Sequence, residues 1–196
     1  MKTANPDRSV SLEFHPLTIG RWKDFEKLFG KNGACGGCWC MWWRISRSEF
    51  ERRKGEGNRR AIKGIVKSGE VPGILLYQDR EPIGWCSVAP RERFHSLNRS
   101  RVLKKVDKTQ VWSIVCFFVA RGYRNQGITK HLIRAAIDYV RQNGGKVIEA
   151  YPTDPRGRRL APVSSFMGLP SVYKQARFVE SARPSESKVI MRYQIK

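Results

Sequence analysis

Arg121-Gly122-Tyr123-Arg124-Asn125-Gln126-Gly127-Ile128-Thr129-Lys130 joins two segments of opposite character, and its reading decides the fold. Before it, Val111-Trp112-Ser113-Ile114-Val115-Cys116-Phe117-Phe118-Val119 is apolar on both faces, as a central strand covered on both sides must be. From Gly127 to Arg141, residues Ile128, Leu132, Ile133, Ala136, Ile137 and Val140 fall on one helical stripe, and Asn143-Gly144-Gly145 stops the helix. Lys146 to Tyr151 then reads as a second strand. A strand, a glycine-turned helix and a strand within about 40 residues form a right-handed crossover, so the two strands should be parallel.

The same reading extends outward. Val10 to Phe14 alternates apolar and polar residues as a first strand, and Leu17 to Phe29 carries helical spacing through Trp22, Phe25 and Leu28. Residues 31–46 are a Gly, Cys and Trp-rich loop or irregular helix. Ser46 or Ser48 caps a following helix, and Asn58 to Lys67 continues helical. Gly73 to Tyr77 and Pro82 to Ala89, joined by Gln78-Asp79-Arg80-Glu81, form a hairpin. Residues 91–110 hold seven basic and two acidic side chains and read as a solvated excursion. After a loop from Pro152 to Gly168 come a short helix at Ser171 to Gln175 and strands at Arg177 to Glu180 and Lys188 to Gln194. No internal repeat or boundary divides the chain, so residues 1–196 are expected to form a single domain, with 1–8 flexible.

With 38 Lys plus Arg against 17 Asp plus Glu, the formal charge of the 196-residue chain is +21. A hydrophobic fraction of 40% with 11% aromatics excludes a disordered chain despite that charge. The excess attracts polyanions: nucleic acid, acidic membrane or a phosphorylated cofactor. Five cysteines, an odd number, and an N-terminus without an apolar leader favour a reducing cytoplasm. The longest apolar run is far shorter than the roughly 20 residues that span a bilayer, so no membrane partner is expected.

The turn itself is suited to phosphate. A helix N-terminus presents unpaired N–H groups and the positive end of its dipole, and Gly127 lets the backbone approach an anion with no Cβ in the way. Arg124, Thr129 and Lys130 add charge and a hydroxyl. The spacing excludes a dinucleotide fingerprint and a P-loop. A plain crossover turn, with glycine for packing, is the competing reading.

Arg124-x-x-Gly127-x-Thr129 resembles motif A of the GNAT superfamily of N-acetyltransferases, with Thr129 where Gly or Ala is usual. Tyr173-Lys174-Gln175-Ala176-Arg177-Phe178 resembles the family's "YxxxGF" signature, with Arg177 in place of glycine. The order of elements from about residue 10 to the C-terminus is similar as well. The resemblance implies an α/β fold with a mixed sheet: mostly antiparallel, with one splayed parallel pair and flanking helices. It implies acetyl-CoA as cosubstrate, with backbone groups of Phe117, Phe118 and Val119 against the pantetheine arm and the amides of Arg124, Asn125, Gln126, Gly127, Ile128, Thr129 and Lys130 on the pyrophosphate. It also implies direct attack by an amine through a tetrahedral intermediate, with a backbone N–H near Val119 on the oxyanion and Tyr173 as the acid that protonates the leaving thiolate; a packing aromatic is the plain alternative for Tyr173.

The base is open among three candidates. Glu149 lies in an otherwise apolar strand, where a carboxylate is expensive unless paired or used, so a salt bridge competes with catalysis. His95 in the basic excursion and a water chain are the others. Cys35-Gly36-Gly37-Cys38-Trp39-Cys40-Met41-Trp42-Trp43-Arg44 would suit a thiolate metal site only with a fourth ligand such as Cys86, and no partner pair follows at finger-like spacing, so no metal is expected. The resemblance puts this loop against the acceptor, where its aromatics line a slot or plug the core. The competing function is a basic RNA- or DNA-binding protein on the same scaffold, but the charge is spread over 44–67, 91–110 and Arg156-Arg158-Arg159 with no recognised nucleic-acid module. A basic rim disfavours cationic acceptors and points to an acidic or neutral amine, including one borne on RNA or an acidic protein. A monomer and a homodimer fit equally.

Overall fold

The computed structural model describes residues 11–158 and 160–196. The start of the first strand at Val10 and the flexibility expected of residues 1–8 lie outside the described residues, as does Arg159. Among the described residues a seven-stranded sheet has the order β1-β2-β3-β4-β5-β7-β6. These strands are β1 (Leu12–Pro16), β2 (Ile74–Gln78), β3 (Glu81–Pro90), β4 (Trp112–Val119), β5 (Val147–Ala150), β6 (Val179–Ser185) and β7 (Lys188–Gln194). All neighbours pair antiparallel except β4 and β5, which are parallel, as the crossover requires.

Helices α1 (Trp22–Phe29), α2 (Arg47–Arg52) and α3 (Glu56–Lys67) belong to one face, and α5 (Ile128–Gln142) with α6 (Pro170–Gln175) to the other; α4 (His95–Asn98) is a single turn. Ser46 caps α2 by accepting from the amide of Glu49, one of the two positions expected to do so. The stripe on α5 packs Leu132, Ile133, Ala136 and Val140 onto Ile83, Val88 and Ile114 of the sheet. Trp22, Phe25, Phe29, Trp39 and Met41 pack on Leu75 and Trp85 on the opposite face.

The segment 91–110 is not the solvated excursion its charge suggests. Phe94, Leu97 and Leu103 are buried with Val115, Tyr151 and Ile190 in a third cluster, because apolar residues at 94, 97 and 103 were masked by the basic residues between them. Arg91 is buried as well, at 1% exposure. It donates to Glu149 Oε1 at 2.8 Å and to Tyr151 Oη at 2.8 Å, while Arg192 Nε donates to Glu149 Oε2 at 2.8 Å. Ser113 and Tyr151 hydroxyls, 2.7 Å apart, extend the network to β4.

Strands β4 and β5 share only three rungs, Trp112↔Ile148, Ser113↔Glu149 and Ile114↔Ala150. Beyond Ile114 they part. The network around Glu149 therefore sits at the last rungs before the divergence. Leu132→Ala, which empties a fully buried position between α5 and the sheet, is expected to cost about 2–5 kcal/mol in urea unfolding, without loss of the folded baseline.

Candidate active site

Where β4 runs on beyond Ile114, its outer edge no longer pairs with β5. Ala120 N–H donates to Ile83 O in β3, and Phe117 N–H points the other way; strand alternation then puts the Val119 N–H on the gap side with it. A cavity of about 1340 Å³ occupies this region. It runs from the turn before α5, along β4 from Val115 to Val119, to the Cys and Trp-rich loop. Every residue expected against the coenzyme lines it except Gln126, whose amide side chain ties back to Gly122 O at 2.8 Å.

The turn is tightly bent. Asn125 and Gly127 both take positive φ, 62° and 75°, which brings the chain round tightly enough to start α5 at Ile128. Gly127 has no side-chain cap to offer; Lys130 N–H donates to Gly127 O at 2.9 Å, and the Ile128 and Thr129 amides at the start of α5 are left for a ligand or water. A Cβ at Gly127 would meet nothing within 4 Å; the glycine is there for its backbone angle. Arg124 is partly committed to holding the turn, with Nε donating to Val119 O at 3.0 Å.

Tyr173 is fully buried, and its hydroxyl donates to Met167 O at 3.1 Å. Burial pushes its phenol well above its ordinary pKa, so it keeps its proton as a donor. One residue away in the same loop, Phe166 O accepts from Phe117 N–H at 2.7 Å. Gly168 at φ 87° closes this loop, and a Cβ there would come within 2.8 Å of the Tyr173 ring. Two successive carbonyls of one loop thus occupy the Phe117 amide and the Tyr173 hydroxyl, while Tyr173 itself lies behind the cavity lining rather than in it.

Glu149 does not reach the cavity. It is 1% exposed and held by Arg91, Tyr151 and Arg192, so of the two readings the salt bridge is what the structure contains. His95, on α4, is exposed and also off the cavity wall. The aromatic loop divides: Trp39 and Met41 plug the core at 5% and 1% exposure, whereas Trp42, Trp43 and Phe50 line the cavity. Arg47 stacks on Trp42 at 3.9 Å from the ring centroid. Among the described residues no group of three or more His, Cys, Asp or Glu side chains is arranged to hold a metal ion. No helix among them is long and apolar enough to cross a membrane.

The family model described as "Acetyltransferase (GNAT) family" matches residues 39–161, more than half of the chain, including β4 and the turn before α5. The chain belongs to the GNAT family. It is an acyltransferase, and acetyl-CoA is the cosubstrate of such enzymes. No curated protein sequence matches the chain. Its fold is that of solved GNAT enzymes: PaiA N-acetyltransferase from Thermoplasma acidophilum in complex with coenzyme A is 14% identical with a TM-score of 0.52, covering 94% of this chain and 99% of its own. Ard1 from Thermoplasma volcanium is 13% identical with a TM-score of 0.51, covering 95% and 99%. At such identities the agreement concerns the fold alone.

What sequence reading missed in this GNAT site is the loop 165–168. Its contacts are made by backbone carbonyls, which carry no residue signature; Gly168 beside Tyr173 was the only cue. Glu149→Gln is expected to destabilise the fold by about 3–5 kcal/mol, because it leaves two arginines short of a buried counter-charge. Chemical denaturation checks this, and acetyl transfer by the folded fraction should be retained.

Proposed function

We propose that this protein transfers the acetyl group of acetyl-CoA to the amine of a neutral or acidic acceptor. The observation that supports the reading is a single cavity lined by the turn before α5, the stretch of β4 beyond Ile114 that no longer pairs with β5, and an aromatic wall. In this reading the pyrophosphate meets the amides from Arg124 to Lys130, the pantetheine arm pairs with Phe117 and Val119, and the thioester lies where β4 and β5 part. The tetrahedral oxyanion is met by a backbone N–H of β4, and the departing thiolate takes its proton from Tyr173.

The loop carbonyls of Phe166 and Met167 have to leave those two donors for this to happen. Entry of the cosubstrate then exchanges Phe166 O for the thioester oxygen at Phe117 and Met167 O for the sulfur at Tyr173. Positive φ at Gly168 gives the loop a hinge beside the tyrosine.

The acceptor end of the cavity supplies Trp42, Trp43 and Phe50 for apolar contact, and Arg47, Lys54 and Arg158 against a single acid, Glu51. Such a rim repels polyamines and suits an amine whose own molecule is neutral or anionic. The basic surface elsewhere is dispersed, and nothing in the cavity favours nucleic acid as a ligand over coenzyme A.

Three measurements test this reading. Acetyl-CoA at 100 times its Kd should raise thermal stability by the equivalent of about 2.7 kcal/mol, and no shift at millimolar concentration would remove the reading. Hydrogen exchange should rise in residues 165–168 when coenzyme A binds. Tyr173→Phe should keep the thermal shift while turnover, followed as free thiol over a panel of amines with acidic and cationic members, falls by on the order of 10²-fold; unchanged turnover would free Tyr173 of its role.

A further inference from the structure

Cys35-Gly36-Gly37-Cys38 sets two thiols at C-x-x-C spacing, a pattern that acetyl transfer does not use. The chain between them is a closed turn. Cys38 N–H donates to Cys35 O at 3.1 Å, and the two residues between take positive φ, 54° at Gly36 and 71° at Gly37, as in the mirror-image turns that glycine enters freely. A turn closed by such a bond keeps its end Cα atoms within about 7 Å, and disulfides bridge Cα atoms about 4.4–6.8 Å apart. The two cysteines therefore stand at about the backbone separation that a disulfide spans.

The turn is held from behind. Gly37 N–H donates to Asn32 O at 2.8 Å, while Gly37 O accepts from Gly55 N–H at 3.0 Å and from Asn58 Nδ2 at 3.1 Å. A Cβ on Gly37 would stand 2.5 Å from Gly55 N, so the turn lies directly against the start of α3. Exposure then divides the cysteines. Cys35 is exposed and Cys38 half-buried, whereas Cys40 and Cys86 are buried. The Cys38 thiol donates to Gly33 O at 3.5 Å, a weak contact that it can give up. Beside Cys35 lies a side pocket of about 590 Å³ lined by Lys31 and Lys54 and by no acid. Its charge suits an anionic visitor. On their other side Cys35 and Cys38 both line the acceptor end of the large cavity.

We propose that Cys35 and Cys38 form a reversible disulfide, made by exchange with a small anionic disulfide that docks on Lys31 and Lys54. In the first step the exposed Cys35, as thiolate, attacks one sulfur of the visitor; the visitor's S–S bond breaks, a mixed disulfide forms on Cys35, and the first small thiol leaves with the proton that Cys35 gave up. In the second, Cys38 attacks the Cys35 sulfur, the mixed disulfide breaks, and the second small thiol leaves with the Cys38 proton. The visitor gains two electrons and the protein pair loses two, so no further reactant is needed. Excess small thiol runs the exchange backward. Closing the bridge takes the Cys38 thiol from Gly33 O and ties together two residues of the cavity wall, so the redox state of the pair sets the shape of that wall. The bridge itself does not depend on the acetyl-CoA reading.

The test uses the full chain, with glutathione disulfide as the probe. Fully reduced protein is mixed with it, quenched in acid at intervals, and read by intact mass and by fragmentation of the tryptic peptide 32–44. The proposal expects a transient adduct of one glutathione on Cys35, then a chain that has lost the adduct and two hydrogens, with the bridge mapped to Cys35 and Cys38 and reversed by dithiothreitol. Cys38→Ser should stop at the adduct. Cys35→Ser should slow the first addition by about tenfold or more, since the exposed thiol is gone. Lys31→Glu combined with Lys54→Glu should lower by about tenfold the ratio of oxidation rates with glutathione disulfide and with cystamine, a cationic disulfide. A bridge that includes Cys40, Cys86 or Cys116, or a wild-type chain that stays at the adduct or does not react, overturns the proposal; a rate ratio that does not move overturns the anionic docking. Should a variant not fold, the wild-type map decides the bridge, and the wild-type rate ratio in low and high salt decides the docking.

Discussion

Everything at the active site depends on two parallel strands that stay together for three rungs and then separate. Parallel pairing of β4 with β5 is fixed by the crossover helix between them, but a seam this short needs reinforcement. The reinforcement is a buried carboxylate, Glu149, neutralised on one side by Arg91 and on the other by Arg192, with Tyr151 bridging to Ser113 on β4. An ion cluster this deep gives little net stability compared with apolar packing, yet it fixes position, because any slip leaves a charge unpaired. Beyond that anchor β4 continues alone, with its backbone donors turned toward the cavity.

Much of this was legible in the sequence, and for identifiable reasons. The apolar run 111–119, the turn at Gly127 and the stripe on α5 form one local unit whose periodicity changes at the turn, so the crossover and the candidate site beside it could be read together. Glu149 stood out because charge in an apolar strand demands an explanation. Which explanation holds was beyond local reading: its partners Arg91 and Arg192 lie 58 and 43 residues away in sequence. The core inside 91–110 was hidden by a different cause. Three apolar residues, Phe94, Leu97 and Leu103, are diluted among seven cations, and composition counts the cations.

The aromatic loop shows why a choice between pocket and core was badly posed. Successive side chains along a tightly bent segment point in different directions, so Trp39 and Met41 fill the interior while Trp42 and Trp43 face the cavity. The positive φ values at Trp39 and Cys40 are what divide them. Nothing in residue type announces such angles, since neither Trp nor Cys favours them.

The loop 165–168 has one more consequence. Its Phe166 and Met167 carbonyls accept from the Phe117 amide and the Tyr173 hydroxyl. In the proposed reading the loop is an intramolecular competitor, tethered at a fixed effective concentration, for the groups that the thioester would meet. Cosubstrate affinity becomes a difference between two sets of hydrogen bonds, reduced by the fraction of time the loop is seated. In that reading the same competition would act in reverse after transfer: coenzyme A would no longer offer an acyl oxygen, and the returning carbonyls would favour its release.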